Sequence, residues 1–295
     1  MFDRIFANYL VKEGKLTENH LGEIFSAQEK RRVRLGVIAV SEKLMTVEQV
    51  EEVNSLQAVL DKRFGDIAIE KGYLTDEQVS RLLVLQGNSF LAFMQSTIDC
   101  GAMDMTAFEK ALEDYQKENN FTLSNMEGLK SCDIDKIVPI FVYDRPQPVQ
   151  ELCGIMVRTI SRLVDYRSDI AKPAISVEVS FDDLCIQSVF GDFKLSTAIS
   201  GDTNGAMLDA AIGFAGKENI VEKEDCLDAL CELINCVNGL FATALSSKNV
   251  DVDMDAPVSY DSAGCLKSEE ILTLPVLLYG RQLNIHIIFD KDYTV

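Results

Sequence analysis

The sequence predicts an α+β protein: an all-helical repeat domain followed by a domain that combines an antiparallel-rich sheet with long helices. Three observations predict it. A 29-residue period runs through residues 1–89, apolar and polar residues alternate from Ala174 onward, and a long helical pattern runs from Glu222 to Ala244. The expected plan is residues 1–89 for the repeats, 90–145 for a helical extension with a degenerate fourth repeat, and 146–295 for the α+β domain.

Three 24-residue stretches line up without gaps, Ile5 to Gln28, Arg34 to Gln57 and Arg63 to Gln86, separated by EKRRV and AVLDK. Self-similarity at a fixed period marks a stacked architecture in which each unit buries its apolar face on a neighbour. Within a unit, a short helix ends at Gly14 or Gly72, as a left-handed C-cap would. Thr17, Thr46 and Thr75 then serve as N-caps, and Thr46 with Gln49 and Thr75 with Gln78 have capping-box spacing. Val50, Val53 and Leu56 form one apolar face, and Val79, Leu82 and Leu83 the other. A fourth unit starting at Ala92 keeps phase, with Gly101, Met103 and Phe108 where Gly72, Leu74 and Val79 fall.

Packing of apolar faces does not explain a recurring polar frame of Arg first, Gly third and Gln last. An Arg-apolar-Gly turn at a helix start combines backbone N–H groups with a planar guanidinium, which suits a phosphate or a purine face. On this frame, repeated with a five-residue spacer, residues 1–89 resemble the N-terminal domain of MshE-type secretion ATPases. That resemblance implies cyclic di-GMP as a ligand, held by Arg34, Leu35, Gly36 and Gln57 in one half-site and Arg63, Phe64, Gly65 and Gln86 in the other. The pattern is departed from in three places. Phe64 stands for a Leu, Lys43 stands for the mid-motif Gly, and the Ile5 unit lacks the Arg-Leu-Gly turn. The same helical fold also serves as a protein-docking module. No G-x-x-x-x-G-K-[ST] occurs, so the chain is not the ATPase itself.

Residues 87–145 continue helical, except for an expected extended piece from Ile137 to Tyr143, and Pro146 and Pro148 mark the boundary to a new helix from Val149 to about Tyr166. Ile175, Val177, Val179 and Phe181 alternate with polar residues as a half-buried strand. Further strands are expected at 184–189, 193–200, 272–279 and 282–290, with turns at Gly191-Asp192, Gly201-Asp202 and Gly280-Arg281. Helices are expected at 203–215 and 222–244. Strands with segregated helices define the α+β class.

In the long helix, Glu232 and Asn235 are three apart, share one face, and interrupt an apolar stretch, with Gly239 one turn on. A carboxylate beside an amide can engage a cation and orient a water, but an amide does not titrate, so the pair suits chemistry held by another protein. The stretch ELINCVNGLFATALSSKNVDVDMDAPVSY, in its order of elements, is similar to the signature of CheX-type chemotaxis phosphatases over about residues 148–290. That resemblance implies hydrolysis of the aspartyl phosphate of a CheY-like response regulator. Glu232 would pair with the regulator's lysine and Asn235 would position the attacking water. The Mg²⁺ would belong to the regulator, leaving this chain without a tightly bound cofactor. CheC relatives carry two such helices, whereas here Glu151 is followed by Gly154 in place of Asn. The resemblance also allows a homodimer through the sheet. The alternative reading is a non-enzymatic adaptor whose two domains dock protein partners.

Charge separates the two parts. The net charge is −19, yet residues 1–89 hold 12 basic and 14 acidic side chains, so the acidic excess lies beyond them. Such a balance argues against nucleic-acid polymers and anionic membranes as partners. The run Lys30-Arg31-Arg32-Val33-Arg34 adds local positive charge beside the first Arg-x-Gly turn. No apolar run approaches the ~18 residues of a membrane span, and the N-terminus lacks a long apolar stretch. The eight cysteines include no C-x-x-C pair and have no clustered histidine, so they read as reduced and structural rather than as metal ligands. His286 alternates within a strand and reads as a sheet residue. The chain is thus expected in the cytoplasm.

Overall fold

The computed structural model describes residues 1–28, 33–60, 62–166, 168–201, 205–279 and 281–295, the side chains of 58–60 excepted. Lys30, Arg31 and Arg32 of the basic run, and Asp202, Thr203 and Gly280 of the expected turns and helix, lie outside the described residues. The chain divides into two compact units, Met1–Asp133 and Ile134–Val295.

The first unit is helical throughout its described residues. Its four repeats are α1 (Phe2–Lys12) with α2 (Glu18–Gln28), α3 (Leu35–Ser41) with α4 (Val47–Leu60), α5 (Phe64–Glu70) with α6 (Asp76–Leu85), and α7 (Ser89–Asp99) with α8 (Met105–Glu118). A ninth helix, α9 (Leu123–Lys130), follows. The turn between paired helices is built alike four times. Gly14, Lys43, Gly72 and Gly101 all have positive φ, between 57° and 75°. Three residues on, Thr17, Thr46, Thr75 and Asp104 accept from the backbone N–H of His20, Gln49, Gln78 and Ala107. Lys43 is the exception that carries a side chain at φ 57°. Left-handed backbone costs an L-residue about 1–2 kcal/mol, partly offset by the chain entropy a glycine loses on folding. Lys43→Gly is therefore expected to stabilise this unit by about 0.5–1 kcal/mol. The measurement is the urea midpoint, and a midpoint that does not rise contradicts the strain assigned to Lys43.

Residues 90–133, expected as an extension, are part of the first unit because they supply much of its core. Phe90, Phe93 and Phe108 are fully buried with Phe2 and Phe6. Ring centroids lie 4.9 Å apart for Phe2 and Phe90 and 5.4 Å apart for Phe6 and Phe108. The expected face of α6 needs one correction. Leu82 is fully buried, but its neighbour Leu83 is 51% exposed, since consecutive helical residues point about 100° apart.

The second unit opens with α10 (Ile134–Val142), where an extended segment was expected. Ile137, Val138 and Val142 are buried, and α10 packs along α11 (Gln147–Leu163), so tertiary burial overrides the strand preference of a β-branched run. That packing also puts the unit boundary upstream of the prolines. Then come β1 (Asp169–Ile170), β2 (Ala174–Phe181), β3 (Asp183–Gly191), β4 (Leu195–Gly201), α12 (Ala206–Ala215) and α13 (Lys223–Ser246). The chain closes with β5 (Val252–Met254), β6 (Val258–Tyr260), β7 (Gly264–Leu278), β8 (Arg281–Phe289) and β9 (Tyr293–Thr294). All the recorded pairings are antiparallel, in the order β1-β7-β8-β4-β3-β5, with β2 and β9 on β7 and β6 on β3.

Strand alternation sorts side chains between two cores. Leu184, Ile186, Ala198 and Ile288 join Phe181, Leu266 and Ile271 in one cluster. Cys185 and Gln187 point the other way, toward α13, where the Cys185 thiol donates to the Leu227 carbonyl at 3.4 Å. Helix α13 amends the expectation that no segment could span a membrane. It is 24 residues long, with a mean hydropathy of 1.4 over an 18-residue window. Leu227, Leu230, Leu233, Ile234, Val237 and Phe241 are buried, whereas Leu240 is 44% exposed, and the helix packs against β3, β4, α11 and α12.

Candidate functional site

Helix α13 starts from a capping box in which Glu222 and Asp225 exchange side-chain and backbone hydrogen bonds, with two carboxylates in the first turn to complement the helix dipole. From that fixed start the 3.6-residue period sends Leu233, Ile234, Val237 and Asn238 into the core and leaves Glu232, Asn235 and Gly239 along the outer margin. Glu232 is exposed and makes no ion pair with any basic side chain among the described residues; its recorded neighbour is the Cys236 thiol, at 3.9 Å. Asn235 is half-buried. A Cβ built on Gly239 would meet nothing within 4 Å, so this glycine is not demanded by packing and leaves the face open beyond Asn235.

Beneath Asn235 lies a buried polar row that the sequence pattern does not reveal. Gln187 of β3 and Thr197 of β4 are a cross-strand pair, 2% and 0% exposed, and Asn238 of α13 is fully buried above them. Thr197 Oγ1 donates to Asn238 Oδ1 at 3.1 Å, and Asn238 Nδ2 donates to Gln187 Oε1 at 2.9 Å. Gln187 Nε2 donates both to the Asp255 carbonyl at 2.8 Å and to Asn235 Oδ1 at 2.9 Å. Asp255 lies between β5 and β6, and its own N–H donates to the Ser188 carbonyl at 3.0 Å. The acidic-apolar stretch after α13 thus bridges the edge of β3 opposite Gln187. The one available sequence signal was a Gln and a Thr on inward strand positions, since buried polar groups call for partners.

The counterpart residues on α11 are engaged otherwise. Lys248 Nζ lies 2.6 Å from Glu151 Oε2, and the Arg158 guanidinium, which pairs with Asp135 of α10, lies 3.1 Å from where a Cβ on Gly154 would stand. His286, buried in β8, is held between Ser200 Oγ at 2.8 Å and Thr273 Oγ1 at 2.9 Å. Burial pushes its pKa down to about 4, so it is neutral and structural at pH 7.

In the first unit the frame residues take the following places. Arg34 and Arg63 are the N-caps of α3 and α5. Arg34 is 67% exposed and reaches Asp99 at 3.4 Å, while Arg63 is exposed. Leu35 is half-buried and Phe64 is buried. Gly36 and Gly65 are packing glycines, since a Cβ on each would stand 2.6 Å from Val50 Cγ1 and 2.9 Å from Val79 Cγ1 respectively. Gln57 Nε2 donates to the Lys62 carbonyl at 3.3 Å and Gln86 Nε2 to the Val33 carbonyl at 2.7 Å, each the residue just before an N-cap arginine. Glycine and glutamine in the frame therefore have work within the fold, and the arginines are what remains on the surface.

No protein-family model matches the chain, and no curated protein matches it. Among solved structures it is similar to a chemotaxis protein CheX from Desulfovibrio desulfuricans, at 12% identity over 49% of this chain and 99% of that one, with a TM-score of 0.43. It is also similar to the chemotaxis protein CheX from Vibrio vulnificus, at 20% identity over 49% of this chain and 99% of that one, with a TM-score of 0.41. A third is a chain from the CheX–CheY–BeF₃–Mg²⁺ complex of Borrelia burgdorferi, at 17% identity, 49% and 99% coverage, and a TM-score of 0.39.

Proposed function

We propose that the second unit removes phosphate from the aspartyl phosphate of a CheY-like response regulator, acting in the cytoplasm with Glu232 and Asn235 as the reacting face. The observation that carries this is the arrangement on α13. An exposed carboxylate with no cationic partner among the described residues stands one turn from an amide anchored from below, beside a glycine that keeps the approach open. Glu232 would meet the regulator's active-site lysine. Asn235 would place water in line with the phosphorus, a task of positioning that requires no titrating group on this chain. The water's hydroxyl joins phosphorus, the bond from phosphorus to the aspartyl oxygen breaks, the aspartate leaves as a carboxylate, and the second proton passes to inorganic phosphate. The test is phosphate release from a phosphorylated CheY-like regulator with and without this protein. Release no faster than from the regulator alone refutes the reading.

For the first unit we propose cyclic di-GMP as ligand, with Arg34 and Arg63 as its anchors. Two exposed guanidiniums at equivalent positions of successive repeats support it. Calorimetry with cyclic di-GMP should give binding heat that drops at least tenfold in affinity in Arg34→Ala and in Arg63→Ala, because charge-assisted contacts to phosphate are worth roughly 1.5–3 kcal/mol each. No heat, or unchanged affinity in both variants, refutes it. The packing duties of Gly36, Gly65, Gln57 and Gln86 favour the other reading, in which this unit docks a protein and the chain works as an adaptor.

A further inference from the structure

The hydrogen bonds around Gln187 fix which way the Asn235 amide faces. The Asp255 carbonyl can only accept, so the Gln187 atom 2.8 Å from it must be the amino nitrogen. The Gln187 oxygen then faces Asn238, which must offer its own amino group, and the Asn238 oxygen accepts from Thr197. The second hydrogen of Gln187 Nε2 points at Asn235, and only an oxygen can receive it. Turned the other way, Asn235 would set its amino group against another amino group with no acceptor between them. Asn235 Nδ2 has no protein partner among the described residues and faces the open margin of α13.

We propose that Gln187 is a positioning residue that holds Asn235 with its oxygen inward and its amino group outward, where that group donates a hydrogen bond to the oxygen of the attacking water. This rests on the phosphatase reading given above. A donor at that place occupies one lone pair of the water and leaves the other for phosphorus. It also adds no negative charge beside a phosphoryl group that already carries it. Asn238 and Thr197 extend the same device into the sheet, so the amide of Asn235 is braced by two β-strands, β3 and β4, as well as by its own helix.

The experiment compares the parent protein with Gln187→Met and with the combined variant Gln187→Met, Asn238→Leu, Thr197→Val. The combined variant replaces the whole polar row by apolar side chains of similar shape, which avoids leaving the buried Asn238 and Thr197 side chains unpaired. Phosphate release from a phosphorylated CheY-like regulator gives kcat and KM, thermal unfolding reports the fold, and side-chain amide hydrogen exchange by NMR reports the orientation. In the parent, the Gln187 amino protons are expected to be protected and those of Asn235 to exchange freely. Both variants should lose roughly tenfold or more in kcat with KM unchanged, as displaced catalytic groups do. The combined variant should do so while melting close to the parent. Full kcat in the well-folded combined variant, or protected Asn235 and freely exchanging Gln187 amino protons in the parent, overturns the assignment. A parent protein with no activity refutes the phosphatase reading itself, and is recognised because all three proteins then match the regulator alone.

Discussion

Asn235→Ala should lower the maximal rate of regulator dephosphorylation by roughly 100-fold or more while leaving KM nearly unchanged, and Glu232→Ala should do the reverse. The two residues share a face but are held differently. Asn235 is half-buried and receives a hydrogen bond from Gln187 at 2.9 Å, so its side chain presents one group in one direction. A group so fixed contributes by geometry, and misplacement by about 1 Å is enough for a loss of that size. Glu232 is exposed and has no internal tether among the described residues beyond a thiol at 3.9 Å. Its worth lies in meeting a cation on the partner. An ion pair left in water contributes under about 1 kcal/mol, whereas one dried by an interface is worth about 2–5 kcal/mol when one partner is removed. A rise in KM of tenfold or more with kcat retained would place Glu232 in docking. Steady-state phosphate release over a range of regulator concentrations separates the two parameters, and a loss of kcat confined to Glu232→Ala would contradict the division of labour.

The second large effect concerns acid. His286 is fully buried between Ser200 and Thr273, and burial lowers its pKa from 6.5 to about 4. Because the folded value lies below the unfolded one, the unfolded chain binds the proton more readily between them. Stability is therefore complete above about pH 6.5 and declines as the pH falls toward 4, by about 3 kcal/mol across the window. Urea midpoints of the second unit measured from pH 7 to pH 4 should follow that decline, and His286→Gln, which cannot take up the proton, should flatten it. An equal slope in the variant would assign the acid sensitivity to carboxylates instead.

How far the sequence could be read depends on the length of the pattern each element carries. The repeats were legible because the cap at Thr17, Thr46 and Thr75 recurs at one phase and uses local chemistry alone. The face of α13 was legible because 24 residues hold a period well. β5 and β6, at three residues each, carry no usable period and were missed, although they flank the carbonyl that anchors Gln187. α10 was misread because Ile137, Val138 and Ile140 resemble a strand until α11 is there to bury them. The frame glycines show another limit. A glycine that lets Val50 approach within one helix pair looks, in sequence, the same as one that lets a ligand approach.

The aromatic cluster of the first unit bears on how that unit comes apart. In an open stack of repeats each unit touches only its neighbours, and the ends can fray one at a time. Here Phe2 and Phe6 from the first repeat lie against Phe90 and Phe108 from the fourth, so the array closes on itself. Losing the first repeat would strip the core of the last, and neither end is cheap to melt alone. Four quasi-equivalent modules are thereby tied into a single cooperative block.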